Sequence, residues 1–360
     1  MKYKNTYSLP FRFDIPNSSE SFLKKRSLLG SKIKFLKRYL YLKFNHQIIL
    51  EVPNILPQHN KILWINISAP SIGDSLMDLS SRVMLNDRTI DLFTDKKNAD
   101  IYNYDNYFSS VFTELKNMSQ KKYDLVIIDS YSTRSIRIKV QLASKVPYVG
   151  MFGFYNGPDV NRILFSYHQM NKLTGYKKEG VDLISLAKPS ITISDYDQEF
   201  IKRLKLPKNF IAIAIGGEWS FRKFNQWILV IEKLLKLDND MKIILIGSDN
   251  AKQIENEILD KFSTNNVFSF ISLLTYNQTA EIICKSNVLF CCDGGLMHAA
   301  NAFNTKIIVL FARVRPEMRL TNLSKAFSLY DLYDVNNISV EDIMHKYNEA
   351  ITYDHNHPLS

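Results

Sequence analysis

Four short stretches of this sequence put acids, cations or glycines where an apolar run stops. The first, WINISAPSIGDSLMD, carries Ser71, Gly73 and Asp74. A carboxylate at the start of a helical pattern is held ionised by free amides and the helix dipole. Asp74 therefore reads either as a helix cap or as a general base facing a cleft. The second, IAIAIGGEWSFRKFNQW, sets Gly216 and Gly217 after a fully apolar run, with Arg222 and Lys223 close behind. Glycines bare backbone N–H groups and the cations add charge, which suits a diphosphate. A turn with basic residues in solvent is the plainer alternative. In the third, IILIGSDNAKQIEN, Asp249 either caps a helix or accepts hydrogen bonds from the sugar or base of a nucleotide. The fourth, NVLFCCDGGLMHAANAFNTKIIVLF, brings together Asp293, Gly294, Gly295 and His298. Leu296, Ala299, Ala300 and Phe303 share one helical face suited to packing on a sheet. His298 lies off that stripe, in the first turn, where it would point outward beside free N–H groups as an anion-binding donor, or serve as an ordinary surface residue.

The elements that must hold these residues alternate. KILWINIS reads as a strand, GDSLMDLSSRVML as a helix, TIDLFT as a strand, YFSSVFTELKNM as a helix, YDLVIIDS as a strand, TRSIRIKVQLAS as a helix and PYVGMF as a strand. After a less regular stretch, with a helix near Ile163–Leu173, the pattern restarts at FIAIAIGG and runs through KIIVLFA. Such alternation predicts α/β domains with parallel sheets and crossover helices. The break falls near 195–209. It divides the chain into an extension over 1–58 and domains over 59–200 and 201–360. Ligands of such sheets bind outside the carboxyl ends of the strands, where all four stretches fall.

At 360 residues two cores are expected, and 46% apolar with 12% aromatic residues excludes a disordered chain. The net charge of +10 favours a polyanionic partner: nucleic acid, anionic lipid or a phosphorylated substrate. Cys284, Cys291 and Cys292 lack metal-ligand spacing and read as small, reduced core residues. The absence of a long apolar run or a signal-peptide pattern predicts a cytoplasmic protein, or one on the inner face of a membrane. Residues 1–19 read as irregular chain. The stretch that follows, ESFLKKRSLLGSKIKFLKRYLYLKFNHQ, has eight cations and no acid after Glu20, with apolar residues at helical spacing. It suits an anionic membrane surface, or a helix packed on the protein with lysines in water.

In their order and spacing the four stretches resemble glycosyltransferase family nine, best known for the lipopolysaccharide heptosyltransferases. Ser71-Ile72-Gly73-Asp74 is similar to the family's first turn, GGEWSFRKF to its glycine-rich turn, and Asp293-Gly294-Gly295-Leu296-Met297-His298 to its last signature. YDLVIIDSYSTRS looks like its third strand and turn. The resemblance covers roughly residues 61–312. Arg222-Lys223 stands in the order opposite to the family's Lys-Arg, and Gly294 stands where relatives have Ser or Thr. The resemblance implies the GT-B architecture, two Rossmann-like domains with parallel sheets facing a cleft. It implies inverting transfer of a sugar from a nucleotide-sugar, with ADP-heptose the best known donor, to a glycolipid or glycan acceptor of the cell envelope, without a metal or other cofactor. Asp74 would be the base, and Ser71 and Arg134 would contact acceptor. Gly216, Gly217, Arg222, Lys223, Asp249, Asp293, Gly294, Gly295 and His298 would bind the donor. Asp238-Asn239-Asp240 reads as a surface turn rather than a metal motif. A non-catalytic binding subunit of the same fold is the alternative. A nicotinamide enzyme is disfavoured because no G-x-G-x-x-G follows a strand, and a nucleic-acid binder would leave the four aligned turns without a purpose.

Overall fold

The computed structural model describes residues 28–118, 120–154, 161–175, 177–262 and 264–356. The chain divides into two compact units. The first runs to Thr192 and takes in Glu317–Asn322; the second comprises Ile193–Pro316 and the chain from Leu323.

In the first unit the order is α1 (Leu28–Phe44), β1 (Lys61–Asn66), α2 (Ile72–Asp78), β2 (Thr89–Thr94), α3 (Lys96–Tyr102), β3 (Ser110–Phe112), β4 (Leu125–Ile128), α4 (Thr133–Ala143), β5 (Tyr148–Gly150), α5 (Arg162–Leu173) and α6 (Gly180–Ile184). The sheet order is β3-β2-β1-β4-β5, with every pairing parallel. The second unit contains α7 (Asp195–Arg203), β6 (Ile211–Ala214), α8 (Trp227–Leu237), β7 (Ile243–Ile246), α9 (Lys252–Lys261), β8 (Val267–Ser269), α10 (Tyr276–Lys285), β9 (Val288–Cys292), α11 (Gly295–Phe303), β10 (Lys306–Ala312), β11 (Ala326–Asp331) and α12 (Val340–Asn356). Its parallel sheet is ordered β11-β10-β9-β6-β7-β8.

β4, β6, β7 and β9 are buried along their whole length. That is why they read as unbroken apolar runs: helices cover a parallel sheet on both faces. In each sheet the chain builds outward on one side and then returns to the other. The strand order therefore reverses between β1 and β4, and again between β6 and β9. The crevice at such a reversal, beyond the carboxyl ends, is where a ligand fits.

Several expectations need correction. The stretch read as a helix over YFSSVFTELKNM is edge strand β3, followed by a short 3-10 turn at Leu115–Met118. The crossover into it is made by α3. Pairing of Ser110–Phe112 with Asp91–Phe93 overrides the local helical spacing. The domain break lies at Thr192 rather than within 195–209, because α7 packs on α10 and buries Ile201 in the second unit. Strand β11 and helix α12 were not anticipated. Helix α12 closes the second core with Ile343, Tyr347 and Ala350, and the Tyr347 ring lies 5.6 Å from that of Phe290.

Residues 1–27 lie outside the described residues, so the expected basic helix is described only over Leu28–Phe44. It buries Phe35 and Leu42 on the first unit, with the Phe35 ring 4.4 Å from Phe154. Gln47 then donates to the Ser144 carbonyl at 3.2 Å, and the Val52 amide to the Tyr148 carbonyl at 2.9 Å. The segment Glu317–Asn322 is tied to the same unit by Asn161. Its Nδ2 donates to the carbonyls of Glu317 at 3.1 Å and Leu320 at 2.7 Å, while its Oδ1 caps α5 through the Leu164 amide.

Behind α2 a 3-10 turn, Ser80–Leu85, carries the fully buried Arg82. Its Nη2 meets Asp105 at 2.5 Å and the Ser190 carbonyl at 2.8 Å, and its guanidinium is 5.5–5.8 Å from the rings of Tyr102, Tyr107 and Phe108. A buried charge that loses its partner is uncompensated. Asp105→Ala is expected to destabilise the protein by about 3–5 kcal/mol, read as a lower urea midpoint for the first unit.

Candidate functional sites at the strand ends

In the first unit, the turn between β1 and α2 places Ser71 and Asp74 together. Ser71 caps α2: its Oγ accepts the Asp74 amide at 3.2 Å and donates to Asp74 Oδ2 at 2.6 Å. Asp74 is thus both a capping partner and a half-exposed carboxylate at the carboxyl end of β1. The two readings coexist in one residue.

Across the reversal, Asp129 follows β4 and is buried. It accepts the amides of Ile67, Ser68 and Ser130 at 2.8, 2.6 and 2.6 Å, and the Ser135 hydroxyl at 2.6 Å. Burial pushes its carboxyl up, against the pull of these bonds. The hydroxyls of Ser68, Ser130, Ser132 and Ser135 gather within 3.4 Å of one another in successive pairs. Arg134, in the first turn of α4, donates to the Ile67 carbonyl at 2.9 Å and pairs with Asp95 at the end of β2. Sequence reasoning missed Asp129 as a residue, although YDLVIIDS ends its apolar run in an acid just as NVLFCCD does.

One turn beyond Asp74, Asp78 is buried and bidentate to Arg162, with Nε and Nη2 at 2.8 and 2.6 Å. This pair fastens α2 to α5. Burial pushes the Asp78 carboxyl up to about 7, opposed by the Arg162 charge and aided by Asp74 and Asp129. No sequence spacing announces it, because the partners are far apart in the chain.

In the second unit, the turn after β6 brings Gly216 and Gly217 to a 3-10 turn, Ser220–Arg222. Arg222 does not stand free as its place in the sequence suggested. Its Nη1 lies 3.2 Å from Oδ2 of the buried Asp293, across the β6/β9 reversal. The buried acid orients the guanidinium and links two of the four predicted stretches. Lys223 is half-exposed beside it. Trp219 stacks on Phe221 at 6.3 Å, and the Arg313 guanidinium lies 3.9 Å from the Phe221 ring centre; sequence reasoning did not single out these three residues.

Gly294 caps α11 without a side-chain bond. Its φ of −179° is ordinary extended backbone, and a Cβ there would meet nothing nearer than the Cys292 carbonyl at 3.8 Å. A Ser or Thr side chain would fit there; glycine itself offers no side-chain acceptor to the first amides of α11. The Gly295 carbonyl accepts the Tyr276 hydroxyl at 2.8 Å. His298 is 2% exposed rather than turned outward, because Met297, His298, Ala299 and Ala300 all lie within the packed part of this short helix. Asp249 is exposed in the turn after β7, at the opposite side of β6 from Asp293.

Cys291 and Cys292 are buried in β9, where burial raises both thiols, Cys292 to about 12. Cys284 is exposed on α10, contrary to its reading as core. Among the described residues no group of three or more His, Cys, Asp and Glu side chains is arranged to hold a metal ion.

The sequence profile of glycosyltransferase family 9 (heptosyltransferase) matches residues 156–347, more than half of the chain. No curated protein matches it. Among solved structures, a family 9 glycosyltransferase of Veillonella parvula is similar with a TM-score of 0.68 at 14% identity, over 83% of this chain and 99% of that one. The ADP-heptose lipopolysaccharide heptosyltransferase II of E. coli gives 0.64 at 18% identity, over 82% and 99%. E. coli heptosyltransferase WaaC with ADP gives 0.62 at 15%, over 81% and 99%. At these identities the likeness is one of fold. Two α/β units with parallel sheets of this kind have the GT-B architecture of these solved structures. The chain belongs to glycosyltransferase family 9.

Two outcomes follow from the geometry. An acid whose folded pKa is raised adds stability that is full below its unfolded pKa and is lost as pH rises through the folded one. The Asp78 contribution should therefore be lost between about pH 4 and 7, and Asp78→Asn, which lacks it, should differ from wild type by that pH-dependent amount over the window in urea titrations. At Gly217 a Cβ would lie 2.6 Å from the Arg222 carbonyl, and at Gly216 its one close clash would be with the end of the Asn250 side chain, at 2.4 Å, with the Ala251 Cβ at 3.4 Å. Gly217→Ala should cost about 1–3 kcal/mol by displacing backbone. Gly216→Ala should cost less, since Asn250 swings aside; paired thermal melts compare them.

Proposed function

We propose that this glycosyltransferase is inverting and metal-independent. It moves a sugar from a nucleotide-sugar to a lipopolysaccharide, lipooligosaccharide or other cell-envelope glycan on the cytoplasmic side of the membrane. The observation that carries this reading is the half-exposed Asp74, held by Ser71 at the carboxyl end of β1. The turn at the β6/β9 reversal supports the donor side with glycine amides, Arg222 oriented by Asp293, Lys223 and the start of α11.

In the proposed step an acceptor hydroxyl attacks the anomeric carbon opposite the leaving nucleoside diphosphate. The new C–O bond forms as the bond to phosphate oxygen breaks, so the centre inverts once. The acceptor proton passes to the Asp74 carboxylate. Negative charge growing on the diphosphate is met by Arg222, Lys223 and the N–H groups of Gly294 and Gly295. Asp249 and His298 belong to the same donor side, the former reaching the nucleoside and the latter backing the α11 turn. Ser71 and Arg134 would hold acceptor. A nucleoside diphosphate heptose is the leading donor, because the solved relatives include an ADP-heptose heptosyltransferase and a heptosyltransferase with ADP.

Asp74→Asn should retain nucleotide binding while transfer falls by about 10²–10⁴-fold. Isothermal titration with ADP and a radiolabelled sugar-transfer assay measure the two. Transfer at the wild-type rate would remove Asp74 from the base role. A thermal-shift screen over nucleotide-sugars identifies base and sugar together. The non-catalytic reading is favoured by one feature, the missing hydroxyl at Gly294. A complete lack of stabilisation by every nucleoside diphosphate would support that reading instead.

A further inference from the structure

The amphipathic helix α1 has apolar residues on two sides. One side, with Phe35 and Leu42, is buried on the first unit. The other, with Ile33, Leu36, Leu40 and Phe44, recurs at three- and four-residue spacing and faces water. Ile48 and Ile49, in the short 3-10 turn past the helix end, are exposed apolar residues as well. Ile33, Phe44 and Ile49 are 58%, 74% and 84% exposed. Helical geometry sets Lys34 and Lys37 along one flank of the stripe and Lys43 along the other. No acid occurs between Glu20 and Glu51.

The geometry points to this face as the docking surface for an anionic lipid bilayer, with the apolar stripe entering the headgroup boundary and the flanking lysines meeting lipid phosphates. Charge decides the occupant. In a two-fold contact with a second copy, this face would meet itself and set lysines against lysines with no acid to offset them. A negatively charged surface with an apolar layer beneath satisfies both parts of the pattern. The assignment deepens the proposed function, since it gives a lipid-linked acceptor a surface on which to be met, but vesicle binding can be read without any transfer. Among the described residues no helix is long and apolar enough to cross a membrane, so the contact is peripheral.

Flotation of the full chain with phosphatidylcholine vesicles, with and without phosphatidylglycerol, tests it. Binding should require phosphatidylglycerol and weaken with added salt. Phe44→Ser with Ile49→Ser, and separately Lys37→Glu with Lys43→Glu, should each weaken binding by about tenfold or more. Leu273→Ser, which changes an exposed apolar residue of the second unit, should leave it unchanged. Far-ultraviolet dichroism and nucleotide-induced thermal shift of the variants should match wild type, so loss of vesicle binding stays distinct from failure of the donor site. The proposal is overturned if wild type ignores anionic vesicles, or if the serine variant floats as wild type does. It is equally overturned if the stripe proves to hold two copies together in ultracentrifugation while vesicles are ignored.

Discussion

A strand covered by helices on both faces has room for polar side chains only at its ends. That constraint organises this molecule. β4, β6, β7 and β9 are apolar throughout, so the groups able to do chemistry collect beyond the last buried residue. The reversal of strand order then opens a crevice between two neighbouring strand ends. Asp74 and Asp129 follow the two strands at one reversal, and Gly217, Arg222 and Asp293 come together at the other. The same burial that stabilises each sheet thus delivers the polar residues to one edge.

Buried carboxylates set the electrostatics of both edges. Asp129 holds three amides and a hydroxyl, which fastens the turns after β1 and β4 to each other. Asp78 clamps α2 to α5 through Arg162 and so steadies the helix that carries Asp74. Asp293 orients Arg222. In each case a desolvated acid is kept tolerable by a partner of opposite charge or by several donors. These acids hold the chemical groups in place, while Asp74, Lys223 and Asp249 stay accessible.

The family resemblance agrees with the match across residues 156–347, which takes in three of the four turns, and the α/β reading agrees with the two parallel sheets. Legibility was uneven, for physical reasons. Long apolar runs such as YDLVIIDS and MKIILIGS announce central strands because nothing else tolerates them. The edge strand β3 is short and only half-buried, so its local helical spacing misled. β11 also lies at an edge and is half-buried along its length, which mutes its signal.

The sequence by itself determined the alternation of elements, the placing of acids and glycines after apolar runs, and the basic helix near the N-terminus. These depend on local spacing and on what a buried strand can contain. Only the tertiary structure decided who partners whom. It joined Arg222 to Asp293 and Asp78 to Arg162, buried His298, and returned Glu317–Asn322 to the first unit through Asn161. It also showed that α1 keeps one apolar face on the protein and turns another to water. Such pairings join residues distant in the chain, and their strength comes from desolvation, which exists only once the fold has closed around them.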